Sequence, residues 1–502
     1  MLLQVYEKYP SWAKVFFDDD YEKQELAKML TVKVPNARFS TAYRMKKWDG
    51  TYCFLNRTSN TIPIGFFDKV RVKFDAKVVD GRKYPQVKFH VPQMNVHQWR
   101  DYQKDALLHA FQNRCCLIHA ATNAGKSYVI AGLIKMLYPE STTVLIHRQE
   151  ILEQLVIGIY NWTGILPSWI TAQGEIGDRV KELIRRKKLE PDPHVRVGMI
   201  MTVHKHVGEE DEEGMRFKYS SVLILDEVHH AGSATYRRVL ARSKAVYRFG
   251  FSGTIPEGDT YEGMMVRQYI GDVVYHISNK DLIDLEVSAR PTVITRKFFH
   301  NINYTRMREE ITATPQAQAL HGYDQSRHIS RVMYQQTQTE HVVRNEARNR
   351  MVVEYVVKNS ASKQILVVVD YIEHGEILIK MLREENEGEK VVRFIHGTAS
   401  TRAGDLRLFN DGDLRTLISS SIIDEGIDIS RIGMLILAGG KKSRRQILQR
   451  IGRALRRKTG ANVVTVVDFY DMDNDGFLER HSALRQKIYR REQFEVMMLG
   501  GK

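Results

Sequence analysis

The sequence predicts an α/β chain, with two parallel-sheet units behind a small basic α+β module. Three observations predict it. Strand-length apolar runs alternate with helical stretches through residues 96–290 and again from 346 onward. The first ninety-five residues lack that alternation and are rich in turn signals. The longest apolar runs, such as "ILVVV" from Ile365, are of strand length, so no membrane span is expected.

The chain has 502 residues, which suggests two to four domains at roughly 150 residues each. The expected division is an accessory domain at 1–95, sheet domains at 96–290 and 346–502, and a linker or insertion at 291–345. The start, "MLLQVYEKYPSW", carries charge within seven residues and does not read as a secretory signal, so a cytoplasmic location is expected. Three cysteines, Cys53, Cys115 and Cys116, give neither a disulfide framework nor a zinc pattern. The net charge of +15 suits a polyanionic partner, nucleic acid first, though a merely basic soluble enzyme has the same balance.

In the N-terminal module, residues 13–30 suggest a helix. From Val32 to Val91 the pattern turns strand-like, with turns at "WDGT", "NRTSN" and "VDGRKYP". Between Lys33 and Lys88 thirteen basic residues face four acidic ones, and Lys46, Lys47 and Trp48 join charge to an aromatic ring. That mixture fits a nucleic-acid surface, and equally a solvated sheet face.

The first sheet unit reads through "CCLIH", "TVLIH", "VRVGMI", "SVLILD" and "YRFGFSGT". Its first strand runs into "AATNAGKS", a phosphate-binding loop whose opening glycine is replaced by Ala120. The strand–loop–helix order supplies the physics: backbone N–H groups and a helix N-terminus face an anion. Lys126 would reach the β- and γ-phosphates and Ser127 the magnesium. About a hundred residues later Asp226 and Glu227 end another apolar strand, where α/β sheets hold ligands. Asp226 would hold magnesium through its water shell and Glu227 would polarise the attacking water. His229 either couples this site to "FSGT" or caps a turn.

The second unit reads through "QILVVVD", "VVRFIH", "LRTLISS", "MLILAG" and "NVVTVVD". Within "QILQRIGRALRRKTG", helical spacing puts Arg450, Arg453 and Arg457 on one side, with Arg456 beyond Arg453. Such arginines supply a finger to a γ-phosphate or a patch for backbone phosphates. "DMDNDGFLERHS" begins like a calcium loop but has Ser482 where a bidentate Glu belongs, and reads as an acidic surface turn.

The order of these motifs resembles the superfamily 2 helicases, which carry two RecA-like motor domains. "WRDYQKDAL" resembles the upstream Q-type motif and "ATNAGKS" motif I. "VLIHRQEILEQ" resembles motif Ia, "GMIMTVH" motif Ib, "DEVH" motif II and "FSGT" motif III. "ILVVVDYIEHGEIL" resembles motif IV, "SSSIIDEGIDIS" motif V and "QRIGRALR" motif VI. The resemblance implies a nucleotide site of Arg100, Gln103, Thr122, Asn123, Ala124, Gly125, Lys126, Ser127, Gly426 and Asp428. It implies catalytic roles for Lys126, Asp226, Glu227, Gln449, Arg453 and Arg456, and coupling through His229, Ser252 and Thr254. DNA contacts would come from Arg148, Gln149, Thr202, His204, His396, Ser420 and Arg450, with Lys46, Lys47 and Trp48 from the module. ATP and Mg2+ are the implied cofactors, bound between the two sheets.

"RMKKWDGTYCFLNRTSNTIPIGF" is similar to the segment before the motor in phage recombination and repair helicases of this superfamily. That likeness implies a DNA-dependent ATPase remodelling forks and four-way junctions. The expected partners are DNA and phage recombination proteins, the expected state a monomer, and the expected setting the host cytoplasm. The alternatives are the motor subunit of a restriction system, an RNA helicase and a nucleic-acid-binding protein with a dead ATPase. "DEVH" and "FSGT" argue against a DEAD-box RNA helicase, and the intact motor motifs argue against a dead ATPase.

Overall fold

The structure, a computed structural model, describes residues 1–385, 392–397, 402–420, 429, 431–457, 462–474 and 476–500. It divides into two compact units, Met1–Ile277 and Ser278–Lys502.

The first unit opens with β1 (Leu2–Val5) and β2 (Trp12–Phe16), paired antiparallel. A helix over residues 13–30 was the expectation, but Trp12–Phe16 buries alternate residues, Ala13 and Val15, and so forms a strand. The helix begins only at Asp20, where the Asp19 side chain accepts the Glu22 N–H at 2.8 Å. β3 (Thr31–Lys33) and β4 (Thr51–Cys53) make a separate antiparallel ribbon. β5 (Thr61–Pro63) and β6 (Lys77–Asp80) flank the first pair, giving the order β5-β2-β1-β6.

This module shares a core with the sheet that follows it. Leu3, Val5, Leu26, Phe54 and Phe66 cluster with Met264 and Met265. Arg248 is fully buried and donates to the Ser11 hydroxyl at 2.7 Å. A Cβ on Gly65 would lie 1.9 Å from the Arg267 carbonyl, so glycine permits the close approach. Short strands with one apolar face gain a core by this packing that they lack alone. Residues 1–95, expected as a domain by themselves, therefore belong to the same compact unit as the first sheet.

That sheet contains β7 (Cys115–Ala120), β8 (Thr142–Ile146), β9 (Pro167–Ile170), β10 (Asp192–Met199), β11 (Val222–Asp226), β12 (Tyr247–Ser252) and β13 (Val273–Ile277). All pairings are parallel, in the order β13-β7-β12-β11-β8-β10-β9. The residues after β7, β8, β11 and β12 thus emerge at one edge, where such sheets hold ligands.

The second unit has β14 (Arg290–Phe299), β15 (Ile365–Val368), β16 (Val392–Ile395), β17 (Thr416–Ser419), β18 (Met434–Leu437), β19 (Val463–Met472) and β20 (Glu495–Leu499). Their order is β16-β17-β15-β18-β19-β14-β20, again all parallel. Two seven-stranded parallel sheets with flanking helices make two RecA-like domains.

Two expectations are corrected in this unit. Residues 291–345 are not a linker, because β14 pairs with β19 along ten residues and with β20 on its other side. The rest of the segment forms helices Tyr304–Thr312, Pro315–Gln318 and Gly322–Gln338, continued by a π turn at Thr339–Val343. β14 escaped notice because it buries only alternate residues, Pro291, Val293 and Thr295, and so lacks a continuous apolar run.

The calcium-like segment is not a surface turn either. Asp471 and Asp473 are each 1% exposed. Asp471 accepts from Arg348 at 2.7 Å and pairs with His300 at 3.0 Å. Asp473 accepts the backbone N–H groups of Leu478 and Glu479, at the start of the helix Phe477–Arg491. Asp475 lies outside the described residues. Among the described residues no helix is long and apolar enough to cross a membrane.

Candidate active site

The phosphate loop connects β7 to the helix Lys126–Leu137. Asn123 and Gly125 both take positive φ, 75° and 79°. Gly125 is the N-cap of the helix, and a Cβ there would come within 2.5 Å of the Gln103 amide. Glycine is needed at this position rather than at Ala120, which simply ends β7 and is 5% exposed. The Lys126 ammonium donates to the Ala120 carbonyl at 3.3 Å, which holds it across the loop.

The Q-type segment is fastened to this loop. Gln103 is 4% exposed, donates to the Ala124 carbonyl at 3.0 Å and accepts the Arg100 backbone N–H at 3.2 Å. The Arg100 guanidinium donates to the Tyr102 hydroxyl at 3.0 Å. Thr122, Ser127 and Lys126 are half-buried around the loop.

Motif II lies beside it. β11 ends at Asp226, which is 9% exposed, and Glu227 turns the chain with φ 51°. Burial and the neighbouring Glu227 charge push the Asp226 carboxyl up to about 6, a rise that Lys126 opposes. Burial would also raise Glu227, but the His229 hydrogen bond and the Lys126 charge outweigh it and hold Glu227 below the usual carboxylate range. Glu227 therefore loses its proton before Asp226, and a cation at Asp226 would draw that carboxyl back down.

Motif III closes the group. His229 Nδ1 lies 2.8 Å from the Ser252 hydroxyl and 3.3 Å from the Glu227 carboxylate. Ser252 donates to Glu227 at 3.2 Å and accepts the Thr254 N–H at 3.1 Å. Of the two roles left open for His229, the coupling contact is the one present. The Thr254 hydroxyl and His229 Nε2 are buried atoms with no hydrogen-bond partner among the described residues. A left-handed turn at a helix N-terminus, a lysine, a hydroxyl, an acidic pair and an orphaned donor together suit a magnesium-bound nucleoside triphosphate.

The expected nucleic-acid contacts of the first unit lie on several elements, those at Arg148, Thr202 and His204 following the adjacent parallel strands β8 and β10. Arg148 caps the helix Gln149–Thr163 just after β8, with Gln149 exposed. Thr202 is buried and His204 half-buried on the helix Ile200–Glu209. Lys46 and Lys47 are exposed, but Trp48 donates its indole N–H to the Thr51 carbonyl at 2.7 Å and is half-buried, a turn-bracing role.

In the second unit, Gln449 and Arg450 are 7% and 5% exposed on the helix Arg444–Ala454. Arg450 pairs with Asp370 at 3.0 Å, so its guanidinium braces motif VI against motif IV. The helix stops at Leu455, and Arg456 forms an isolated bridge with Ser288, so Arg456 and Arg457 do not continue the helical face of Arg450 and Arg453. Burial lowers the Arg456 guanidinium from its ordinary value. The Gln449 amide oxygen is buried without a partner among the described residues. His396 packs on Phe394 with ring centroids 5.1 Å apart, and Ser420 is 7% exposed. Gly426 and Asp428 lie outside the described residues. Sequence reasoning missed Asp370, whose only signal was its place at the end of an apolar strand, and His147, which sits beside Arg148.

The family model for "Type III restriction enzyme, res subunit" matches residues 96–257, and that for "Helicase conserved C-terminal domain" matches residues 347–458. The chain is 23% identical over 416 residues to "DNA 3'-5' translocase XPB2" of Sulfurisphaera tokodaii, covering 78% of this chain and 85% of that one. It is 21% identical over 475 residues to "ATP-dependent DNA helicase uvsW" of Enterobacteria phage T4, covering 89% and 86%. The solved DNA-bound "ATP-dependent Type ISP restriction-modification enzyme LlaBIII" aligns over 80% of this chain and 31% of its own, with TM-score 0.56 at 14% identity, which shows a shared fold.

Proposed function

We propose that the chain, which matches the restriction-enzyme res-subunit model over residues 96–257 and the helicase C-terminal model over 347–458, pairs the motor domains of a superfamily 2 helicase and is a DNA-dependent ATPase that remodels branched DNA in phage replication, recombination and repair. Fork regression, branch migration of four-way junctions and duplex unwinding are the reactions meant. The observation that carries the ATPase half is the convergence of Lys126, Asp226, Glu227, His229 and Ser252 at one sheet edge. The similarity to the ATP-dependent DNA helicase uvsW extends over 89% of the chain, which supports the DNA-helicase half; the branched-DNA half rests on the likeness of the "KKWDGTYCF" segment.

In this reading Lys126 holds the β- and γ-phosphates and the loop N–H groups turn toward them. Ser127 and Asp226 hold magnesium, which when bound neutralises phosphate charge. Glu227, kept ionised, orients and polarises water, and His229 with Ser252 fixes its direction. Arg453 and Arg456 are proposed, on the motif resemblance alone, to neutralise charge on the γ-phosphate. Lys46 and Lys47 are proposed to grip DNA phosphates from the module.

A restriction-system motor is the second reading, favoured by the family model over residues 96–257. One panel separates them: ATP hydrolysis and unwinding over single strands, forks, four-way junctions, linear duplex and duplex RNA. Branch remodelling requires the highest turnover on forks and junctions. Preference for linear duplex without unwinding would favour the restriction motor, and preference for RNA would remove both. Lys126→Ala must abolish turnover while DNA binding persists.

A further inference from the structure

β8 and β11 are adjacent parallel strands whose register pairs Leu145 with Leu225. Two residues further on, His147 and Glu227 therefore leave the sheet side by side. Glu227 has φ 51°, and the 3-10 turn Val228–Gly232 that follows brings two histidines back over this edge. The His147 and His230 rings lie 4.5 Å apart, centroid to centroid, inclined at 41°. The His230 and His229 rings lie 4.2 Å apart, inclined at 42°. His229 then meets Ser252 at 2.8 Å and Glu227 at 3.3 Å.

A continuous packed line thus runs from the turn that carries Arg148 to the carboxylate that faces the hydrolytic water in the proposed reaction. Arg148 follows His147 directly and caps the helix Gln149–Thr163, so any shift of that helix start displaces His147 with it. The Tyr236 ring lies 6.4 Å from His230, nearly parallel at 18°. His230 thus touches the His147 ring and the His229 ring, and a displacement of His147 is passed to His229 through it.

We propose that His147 is a positioning residue that, through the His230 and His229 rings, sets the orientation of Glu227 according to whether nucleic acid is engaged beside Arg148. The inference rests on the ATPase reading above and on the nucleic-acid contact that the motif resemblance implies at Arg148, and assigns no proton transfer to His147. It makes stimulation by nucleic acid, rather than basal turnover, the property that depends on this contact.

The test uses the full chain and measures steady-state ATP hydrolysis with and without saturating single-stranded DNA. His147→Ala is expected to lower the stimulated kcat about tenfold. Basal kcat, the KM for ATP and DNA affinity by fluorescence anisotropy should stay within about twofold. His147→Phe keeps a ring against His230 and should recover most of the stimulation. Full stimulation in His147→Ala overturns the inference. So does a parallel fall of basal and stimulated turnover with a lowered unfolding midpoint, which marks a structural role only. Wild-type protein that hydrolyses no ATP with or without DNA overturns the ATPase reading itself, whereas turnover that DNA leaves unchanged overturns the DNA dependence and this inference with it.

Discussion

Gln103 joins two motifs through one amide: its N–H meets the Ala124 carbonyl at 3.0 Å while its oxygen accepts the Arg100 N–H at 3.2 Å. The phosphate loop is therefore braced from outside as well as by its own glycine. Gln103→Ala removes both bonds and leaves a buried carbonyl unpaired, a cost of about 1–3 kcal/mol. Because the damage falls on the shape of the empty loop, ATP binding should suffer more than chemistry. The expected result is a KM for ATP raised about tenfold with kcat changed by less than about threefold. Steady-state kinetics over a range of ATP concentrations reads both; an unchanged KM would show that the loop holds its shape without Gln103.

Arg450 and Asp370 form a buried pair, with side chains 6% and 1% exposed, and Asp370 also accepts the Lys441 N–H at 3.3 Å. Arg450→Ala strands a buried carboxylate, which costs about 3–5 kcal/mol. Replacing both partners, as in Arg450→Met with Asp370→Leu, removes the stranded charge and should recover much of that loss. Urea unfolding midpoints check the stability. DNA affinity per folded molecule should be unchanged in either variant, and a selective loss of affinity would return Arg450 to the DNA surface.

The alternation of apolar runs made both parallel sheets legible, since strands covered on two faces leave continuous apolar stretches such as Val222–Leu225. Spacing also made Lys126, Asp226 and Glu227 legible, because short local motifs hold them. β14 was not legible, because a strand that buries one face leaves only an alternating pattern. Nor was the shared core of the N-terminal module. Met264 and Met265 lie about two hundred residues from the strands they cover, and no local pattern announces such a contact. Asp471 was read as solvated because its neighbours in sequence are acidic; its partners Arg348 and His300 are remote in sequence.

That network makes a prediction of its own. Arg348 and His300 outweigh burial and hold the Asp471 carboxyl well below the usual range. Asp473 is spent on the start of the following helix. Neither carboxylate is available to a cation. Millimolar calcium or its chelation should leave the unfolding midpoint unchanged, while Asp471→Asn should lower it through loss of the ion pair to Arg348. A calcium-dependent rise in the midpoint of the wild-type protein would reopen the metal reading.

His374 should set part of the pH dependence of stability. It is fully buried, and its Nε2 lies 2.9 Å from the Asn349 side-chain amide oxygen. Asn349 in turn donates to the Val343 carbonyl at 2.8 Å, which fixes the amide orientation and so puts the proton on Nε2 of His374. Burial, reinforced by the Arg348 charge, pushes the imidazole down from its ordinary 6.5 to about 3. The unfolded chain therefore binds a proton below pH 6.5 that the folded chain refuses until about pH 3. Stability from this group is complete above 6.5 and is lost progressively as pH falls through that window, by about 2 kcal/mol at pH 5. Urea unfolding of wild type and His374→Gln at pH 7.5 and pH 5 measures it. The glutamine variant, unable to titrate, should lose about 2 kcal/mol less than wild type between the two pH values. Equal losses would mean that the folded chain takes up the His374 proton as readily as the unfolded chain.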